Sequence, residues 1–590
     1  MFFRDSKDLT EQRNQLIGYI STASQWVKNI IFGFLGGGVW PSNNEFVDGG
    51  PSLEPPDSTV ISPNLSTCHQ SVGYTGHLVY CCPPKPESEE PFIDFQLPDP
   101  PSTLRVRRPV HLIDDEFIAK YNKAITIMKS LPYDDPRNFM RQANMHCIYC
   151  TGAYNQKYSN SLLNIHKSWL FFPWHRMMIY FHEKILGDLI GDETFALPFW
   201  NWDAPEGMVI PKMYMKEPFL DKERDRSHLP PQVADINYNF VESTLEADEQ
   251  ISRNLAFMYN QMVSGAKKTE LFMGCPYKIG EAGACIGRGT IESAPHNTLH
   301  SWVGSSLNPK RENMGVFYSA ARDPIFYGHH SNIDRLWEVW KELRGYKPEI
   351  VDPDWLDSYF FFHNEKSQLV RIKIRDVLNI TNLGYSYQKV DLPWLNARPK
   401  PSVPPKIARN RLMRMENTTT TPNGLQLVRK NIKNWEHSCF EPEGRTLDTN
   451  VRVRVYRPKK IRSKKEKEEE EEVLVVYGID VKDDMNVKFD VYVNLVVNDD
   501  DDEGTNIGHI GPESREFAGT YVNMRRGVTL IINEGDEVIR NRKTDLKLGI
   551  SELLVDLEAD EDDSIWVTLV PRGGTGVNTT VDGIRIEYMA

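Results

Sequence analysis

Two kinds of hydrophobic spacing divide the chain. Over residues 113–362 apolar positions recur at helical intervals, with long loops between the helical stretches. After Val451 the spacing changes to short alternating runs: VRVRVYRP, EEVLVVYGI, VKFDVYVNLVV, VTLIIN, SIWVTLVP and IRIEYM. Such runs, separated by turn residues, predict an antiparallel β-sandwich or barrel over 451–590. Between the two regimes, residues 396–424 are rich in proline and polar residues and read as a protease-sensitive tether at a domain boundary. The charged runs 464–472 and 499–503 fall between predicted strands and read as solvated loops.

Ahead of the helical regime the pattern is weaker. Residues 40–59 are rich in Pro, Gly, Asn and Ser and predict extended chain, while the proline-dense stretch 83–102 predicts an arm laid along the core. The apolar run at 30–40 falls short of the ~18–20 residues that a membrane span needs. It suits the apolar part of a targeting signal, but Asp5, Asp8 and Glu11 count against a simple transit peptide. Gly36, Gly37 and Gly38 lack the flanking strand and helix of a dinucleotide site and read as linker.

At 590 residues the chain exceeds the ~250–300 at which one hydrophobic core stops growing, so several domains are expected. With 40 % hydrophobic and 11 % aromatic residues, wholesale disorder is excluded. The net charge of −13 counts against a general nucleic-acid or anionic-membrane binder.

The histidines carry the chemistry. One sits in HCIYC (His146); His166, His175 and His182 follow in and after HKSWLFFPWH. His296 and His300 stand four apart, one helical turn, so two imidazoles on one face can reach a single ion. Asp323-Pro324 signals a helix start, which puts His329 and His330 in its second turn, pointing about 100° apart. Pro173 predicts a helix beginning near Trp174, which aims His166 and His175 independently. A lone buried histidine is usually structural. This many, in four helical segments flanked by Trp and Phe, points to metal. With almost no carboxylate nearby, the set suits copper, zinc, iron or nickel better than magnesium or calcium. Neither His-Glu-x-x-His nor repeated Glu-x-x-His is present. Two sets of three imidazoles with open positions favour a dinuclear copper site; spacing alone neither rejects His182 nor chooses between His329 and His330.

At these residues the chain resembles the plant polyphenol oxidases, which include catechol oxidases, tyrosinases and aurone-synthase-like enzymes. The resemblance runs through HCIYC, HKSWLFFPWHR, FWNWDAP, HNTLHSW, DPIFYGHHSNIDRLW, DPDWL, YSY and KFDVY. It implies one copper on His146, His166 and His175, another on His296, His300 and His330, and dioxygen as co-substrate. The implied fold is a mainly α catalytic domain with a four-helix bundle around the dicopper site, plus the β-sandwich. The implied boundaries are a leader over 1–59, the catalytic domain over 60–395 with a DWL-type segment at 345–395, a linker over 396–450, and a shielding domain over 451–590.

Cys81 and Cys82 are adjacent and cannot easily bond each other, so each seeks its own partner. The resemblance implies Cys68–Cys82, Cys81–Cys147 and a thioether between Cys150 and His166. Cys275 and Cys285 bracket a glycine-rich loop that a bridge can close; Cys439 has no assignment. The resemblance makes Glu292 and Asn297 holders of a water that helps deprotonate a phenol, and Phe317 an aromatic gate over the second copper. Glu292 is expected one turn before His296 on the ligand face. Ser301, after His300, is smaller than in some relatives. Asn297 and Phe317 pull in opposite directions on monophenol entry, which stays open.

The implied activity is oxidation of o-diphenols to o-quinones, held latent by the C-terminal domain until an activating protease cuts the linker. Alternatives are a haemocyanin-like oxygen carrier and a dedicated aurone- or lignan-type biosynthetic oxidase. The resemblance implies the plastid, in the thylakoid lumen, with vacuolar or secretory locations as alternatives.

Overall fold

The computed structural model describes residues 60–590, apart from 74, 160, 280–286, 346–349, 419–431, 436–437, 441–442, 460, 483–484, 497–509 and 531–542. The leader at 1–59, the acidic run 499–503 and Cys285 therefore lie outside the described residues.

A helix with no polar face must sit at the centre of something, and the helical half is organised by one. In helix α3 (Phe171–Ile190) every residue from Phe171 to Glu183 is buried. It starts at Phe171 rather than Trp174. Pro173 is accommodated at the third helical position, where a backbone N–H has no intrahelical partner to lose. Around it pack α1 (Asp115–Ser130) and α6 (Ile325–Leu343). Helix α2 (Phe139–Thr151) is buried almost throughout; Asn138 Oδ1 caps it by accepting from Met140 N at 2.8 Å. Helix α6 opens at the Asp-Pro signal, with Asp323 Oδ1 accepting from Ile325 N at 2.9 Å.

The proline-rich arm does run along this core. Its strand β1 (Phe92–Asp94) lies parallel to β3 (Leu369–Lys373), which pairs antiparallel with β2 (Tyr359–His363). Cys68 is bonded to Cys82 and Cys81 to Cys147, so the arm is stapled to α2.

The C-terminal half forms two sheets around their own apolar core. One has the order β4 (Ile432–Trp435), β5 (Asn450–Tyr456), β10 (Ser564–Pro571), β7 (Val487–Val493), β8 (Phe517–Asn523), antiparallel except between β4 and β5. In the other, β6 (Glu471–Val481) pairs with β9 (Thr544–Gly549), β11 (Thr579–Val581) and β12 (Gly583–Met589). Val453, Leu474, Phe489, Val567 and Ile586 fill the space between them.

Three expectations change here. The run VTLIIN contributes Val528–Leu530 to neither sheet; it pairs antiparallel with Ser71–Gly73 of the N-terminal arm. Residues 464–472 are not all solvated loop: Lys464–Glu469 form a short helix capped by Ser463, and Glu471 and Glu472 enter β6 buried. Glu472 is tolerated there because Arg457 donates to both its oxygens, at 2.7 and 2.8 Å. The expected tether is partly ordered, since proline at a first helical turn starts helix α7 (Pro405–Thr418) instead of excluding one. Leu412 is buried, Arg409 pairs with Asp562, and Arg398 pairs with Asp556 of the C-terminal half.

The described residues of 60–590 belong to one compact unit. Val522, Phe517, Tyr492, Leu495 and Val570, all from the β-rich half, belong to the same apolar cluster as α3. Among the described residues no helix is long and apolar enough to cross a membrane.

Candidate metal centre

Four helices deliver buried imidazoles to one place. His146 comes from α2, His166 from the loop before α3, and His175 from the first turns of α3. Their ring centroids stand 5.2 to 5.6 Å apart, and ligand atoms of His146, Cys150, His166 and His175 lie within 4.8 Å of one another. His146 donates Nδ1–H to the Phe317 carbonyl at 2.9 Å, and His175 donates Nδ1–H to the Phe171 carbonyl at 2.8 Å. Each such bond fixes the tautomer that leaves Nε2 as a free lone pair. Those Nε2 atoms, and both nitrogens of His166, have no hydrogen-bond partner.

The second set gathers His296, His300, His329 and His330, again within 4.8 Å. His300 lies in α5 (Asn297–Val303), and His296 immediately precedes that helix. His300 donates Nδ1–H to the Met314 carbonyl at 3.0 Å, and His296 donates Nδ1–H to Asn297 Oδ1 at 3.1 Å. His300 Nε2 and His330 Nε2 converge to 3.4 Å. The two sets adjoin, with the rings of His175 and His330 stacked at 4.2 Å. His329 packs against His296, Trp202 and Trp200. His182 joins neither set; it stacks on Tyr327 at 3.6 Å.

Burial sets the protonation of the site. It lowers His146 to about 4 and His300 to about 3, and takes the other imidazoles down as well. All are therefore neutral, as ligands must be, at neutral pH. Burial also pushes the Glu292 carboxyl up to about 7, against the pull of Arg288 and of the Lys167 N–H that donates to Oε1 at 2.6 Å.

Charged residues inside the apolar motifs lock these helices together. Arg176, next to His175, donates to Asp334, four residues after His330. Tyr385 and Tyr387 hydroxyls donate to the same carboxylate at 2.8 and 2.6 Å, and Arg107 joins it to Glu183 of α3. Asp203 of FWNWDAP accepts from Asn332 and Arg335 of α6 and from Trp394. The sequence offers these residues only as motif letters; an ionisable side chain in an otherwise apolar motif is the signal that marks them.

A set of buried imidazoles with Nε2 atoms aimed at one another fits a soft divalent or monovalent metal, and comparison supplies the family. The family model described as the common central domain of tyrosinase matches residues 136–343. The polyphenol oxidase middle domain matches 349–400, and the chloroplastic polyphenol oxidase C-terminal domain matches 443–588. The chain belongs to the plant polyphenol oxidases. It is 46 % identical to the aureusidin synthase of Antirrhinum majus over 539 residues, covering 90 % of this chain and 88 % of that one. It is 43 % identical to the chloroplastic polyphenol oxidase of Malus domestica, covering 90 % and 84 %. Among solved structures, latent apple tyrosinase superposes with a TM-score of 0.72 at 43 % identity, covering 85 % of this chain and all of that one. As a polyphenol oxidase the chain is a copper oxidoreductase of the dinuclear type, which removes the oxygen-carrier alternative.

Two expected positions need correction in this polyphenol oxidase. Phe317 does not lie over the second set: its ring stacks on His166 at 4.4 Å, and its carbonyl holds His146. The Met314 and Phe317 carbonyls accept from one histidine of each set, and the Phe317 ring turns to the first. Glu292 is not a regular helical turn before His296, because Ala294 is extended (φ −159°, ψ 139°) ahead of Pro295. It reaches the site through Lys167, the neighbour of His166, and its Oε2 is left without a partner, as is Asn297 Nδ2. Cys150 is buried and Cys439 exposed, each outside any disulfide, and Cys275 is disulfide-bonded.

The β-rich half reaches one edge of this site. Thr520 accepts from Ser293 Oγ at 3.2 Å, and Asn523 accepts from Arg288 at 3.3 Å, so β8 lies against the segment bearing Glu292. Sequence reasoning missed Arg288 and Asn523, because neither belongs to a histidine motif.

Proposed function

We propose that the chain oxidises o-diphenols to o-quinones with dioxygen at two copper ions, one on His146, His166 and His175 and the other on His296, His300 and His330. The observation that carries this is that the buried Nε2 atoms of His146, His166, His175 and His296 have no partner and those of His300 and His330 meet only each other, while the Nδ1–H groups of His146, His175 and His300 are held by backbone carbonyls. His330 is preferred to His329 because its Nε2 meets that of His300, whereas His329 is flanked by tryptophans. Bound copper supplies the exchange of two electrons between diphenol and dioxygen. The chain supplies the rest. Glu292 accepts a hydroxyl proton at Oε2, Asn297 orients water or substrate through Nδ2, and the ring of Phe317 stacks on His166 and walls the pocket. The thioether reading joins Cys150 Sγ to a ring carbon of His166, and is supported by their proximity.

The four ligand-bearing segments α2, α3, α5 and α6 form the bundle around this centre. Residues 451–590 act as the shield, 60–395 as the catalytic domain and 396–450 as the segment where an activating protease acts. Support comes from β8 against the Glu292 segment and from the latent state named for the apple structure. A plastid location, in the thylakoid lumen, is supported by the chloroplastic naming of the Malus relative. A flavonoid-type biosynthetic role is the second reading, favoured by the Antirrhinum aureusidin synthase.

Oxygen uptake on catechol, tyrosol and a chalcone, before and after limited proteolysis within 396–450, tests these readings. Catechol turnover that rises on proteolysis is the expected result. Equal turnover in both states removes latency, no catechol turnover in either removes the oxidase reading, and a higher kcat/KM for the chalcone selects the second reading.

A further inference from the structure

Arg288 is a charged residue to which the oxidase reading gives no role. Its side chain is 4 % exposed, and its Nε has no hydrogen-bond partner. Nε stands 3.7 Å from Glu292 Oε1, too far for a hydrogen bond, and that oxygen already accepts from Lys167 N at 2.6 Å. The acceptor that Arg288 does find belongs to the C-terminal half: Nη2 donates to Asn523 Oδ1 at 3.3 Å. Asn523 cannot be turned round, because its Nδ2 donates to the Met485 carbonyl at 2.9 Å. The shield thus offers this guanidinium a carbonyl-type oxygen at the edge of the dicopper pocket.

When the shield withdraws, that oxygen leaves with it. A guanidinium carries five donors in a planar fork whose best partner is a carboxylate, and withdrawal of Asn523 opens the Nη2 side of this fork to what enters the site. In the neighbouring wall the imidazoles are neutral and Phe317 is apolar. The one carboxylate, Glu292, stands 3.7 Å from Nε and takes Lys167 N at Oε1, so the Nη2 donor that Asn523 releases is the one left for an incoming group. Arg526, whose charge reaches Cys150, departs with the shield.

We infer that Arg288 is a specificity residue of the opened enzyme, selecting o-diphenols that carry a carboxylate, and that Asn523 Oδ1 stands where a carboxylate oxygen binds. The inference rests on the oxidase reading and names its substrate class. In the closed state the same contact ties β8 to the pocket rim; in the open state it becomes substrate recognition.

The test compares two substrates identical at the ring, 3,4-dihydroxycinnamate and its methyl ester, on the copper-loaded full chain opened by limited proteolysis. Arg288→Gln is expected to lower the acid-to-ester ratio of kcat/KM about tenfold, through KM, as loss of a charge-assisted hydrogen bond implies. Arg288→Lys, which keeps the charge, restores part of the ratio. An unchanged ratio overturns the inference. Calorimetric binding of cinnamate and cinnamamide, neither of them a diphenol, gives a readout free of turnover. Native protein favouring cinnamate, with the preference lost in Arg288→Gln, supports the inference; equal binding of both by native protein overturns it. If native enzyme oxidises neither diphenol, the oxidase reading fails, and the calorimetric comparison still decides whether Arg288 recognises carboxylate.

Discussion

Both halves of the molecule close buried charges on one another, as Arg176 does with Asp334 in the helical half; among the described residues the helical half also gathers buried imidazoles whose nitrogens meet no partner. In the β-rich half the buried charges close on one another. Lys488 donates to Asp490 at 2.9 Å and to Asn239 at 2.7 Å, while Arg572 donates to Asp490 at 2.6 Å. In the helical half the imidazoles of His146, His166, His175 and His296 each keep an Nε2 with no partner in the chain. An unmet buried polar atom costs about 1–3 kcal/mol, so four such atoms converging on one place leave room for something that is not a side chain. Buried charge closed within the chain holds structure; buried lone pairs that are left open and converge on one another hold a ligand.

The strongest way to break this contrast is to remove an open lone pair. His175→Ala should halve the copper content, from two ions per chain to one, measurable by elemental analysis. Residues behind a metal ligand already cost about 10–100-fold when lost, so diphenol oxidation should fall by about 10³ or more. Thermal stability of the metal-free chain should change far less than activity.

Removing a closed charge should do the reverse. Asp490→Asn leaves Lys488 and Arg572 buried against a neutral amide, and should destabilise the β-rich half by about 3–5 kcal/mol, read as a lower thermal transition. The native pair also predicts a pH dependence. Burial by itself raises the Asp490 carboxyl, but Lys488 and Arg572 outweigh it and hold it at about 2. A folded value below the unfolded ~3.9 means stability that is present above pH ~4 and lost as pH falls toward 2. A thermal transition of the β-rich half that is flat between pH 4 and 2 would contradict the closed network.

Smaller effects sharpen the boundary between the halves. Val522→Ala thins the apolar cluster shared with α3, at a cost of about 1–3 kcal/mol. Uncleaved enzyme should then show raised background oxidation of catechol. Arg409→Ala removes an ion pair whose partners are 44 % and 35 % exposed, and should cost under about 1 kcal/mol. Latency should survive it, because α7 stays docked through Leu412.

Much of this was legible in advance where the signal was local. Asp323-Pro324 marked the start of α6, alternation marked β5, β6, β7, β10 and β12, and the clustering of histidines marked the site. What failed was long-range. Val528–Leu530 alternates like a sandwich strand, yet its partner is the N-terminal arm at Ser71–Gly73. Pro404 and Pro405 read as tether, yet the apolar face containing Leu412 finds the β-rich half to bury against. Glu472 read as solvated, because nothing local reveals that Arg457 waits beside it.

The sequence by itself determined the chemistry: neutral nitrogen donors in helical segments, almost no carboxylate, and apolar surroundings that strip water from a metal site. Those are properties of residue types and short spacings. Only the tertiary structure decided direction. Whether Phe317 covers the first set or the second, which loop supplies the carbonyls that fix each tautomer, and what Arg288 faces all depend on contacts between residues far apart in the chain. Hydrogen bonds and stacked rings act over a few ångströms, and which distant segments come that close is settled by burial of the whole fold.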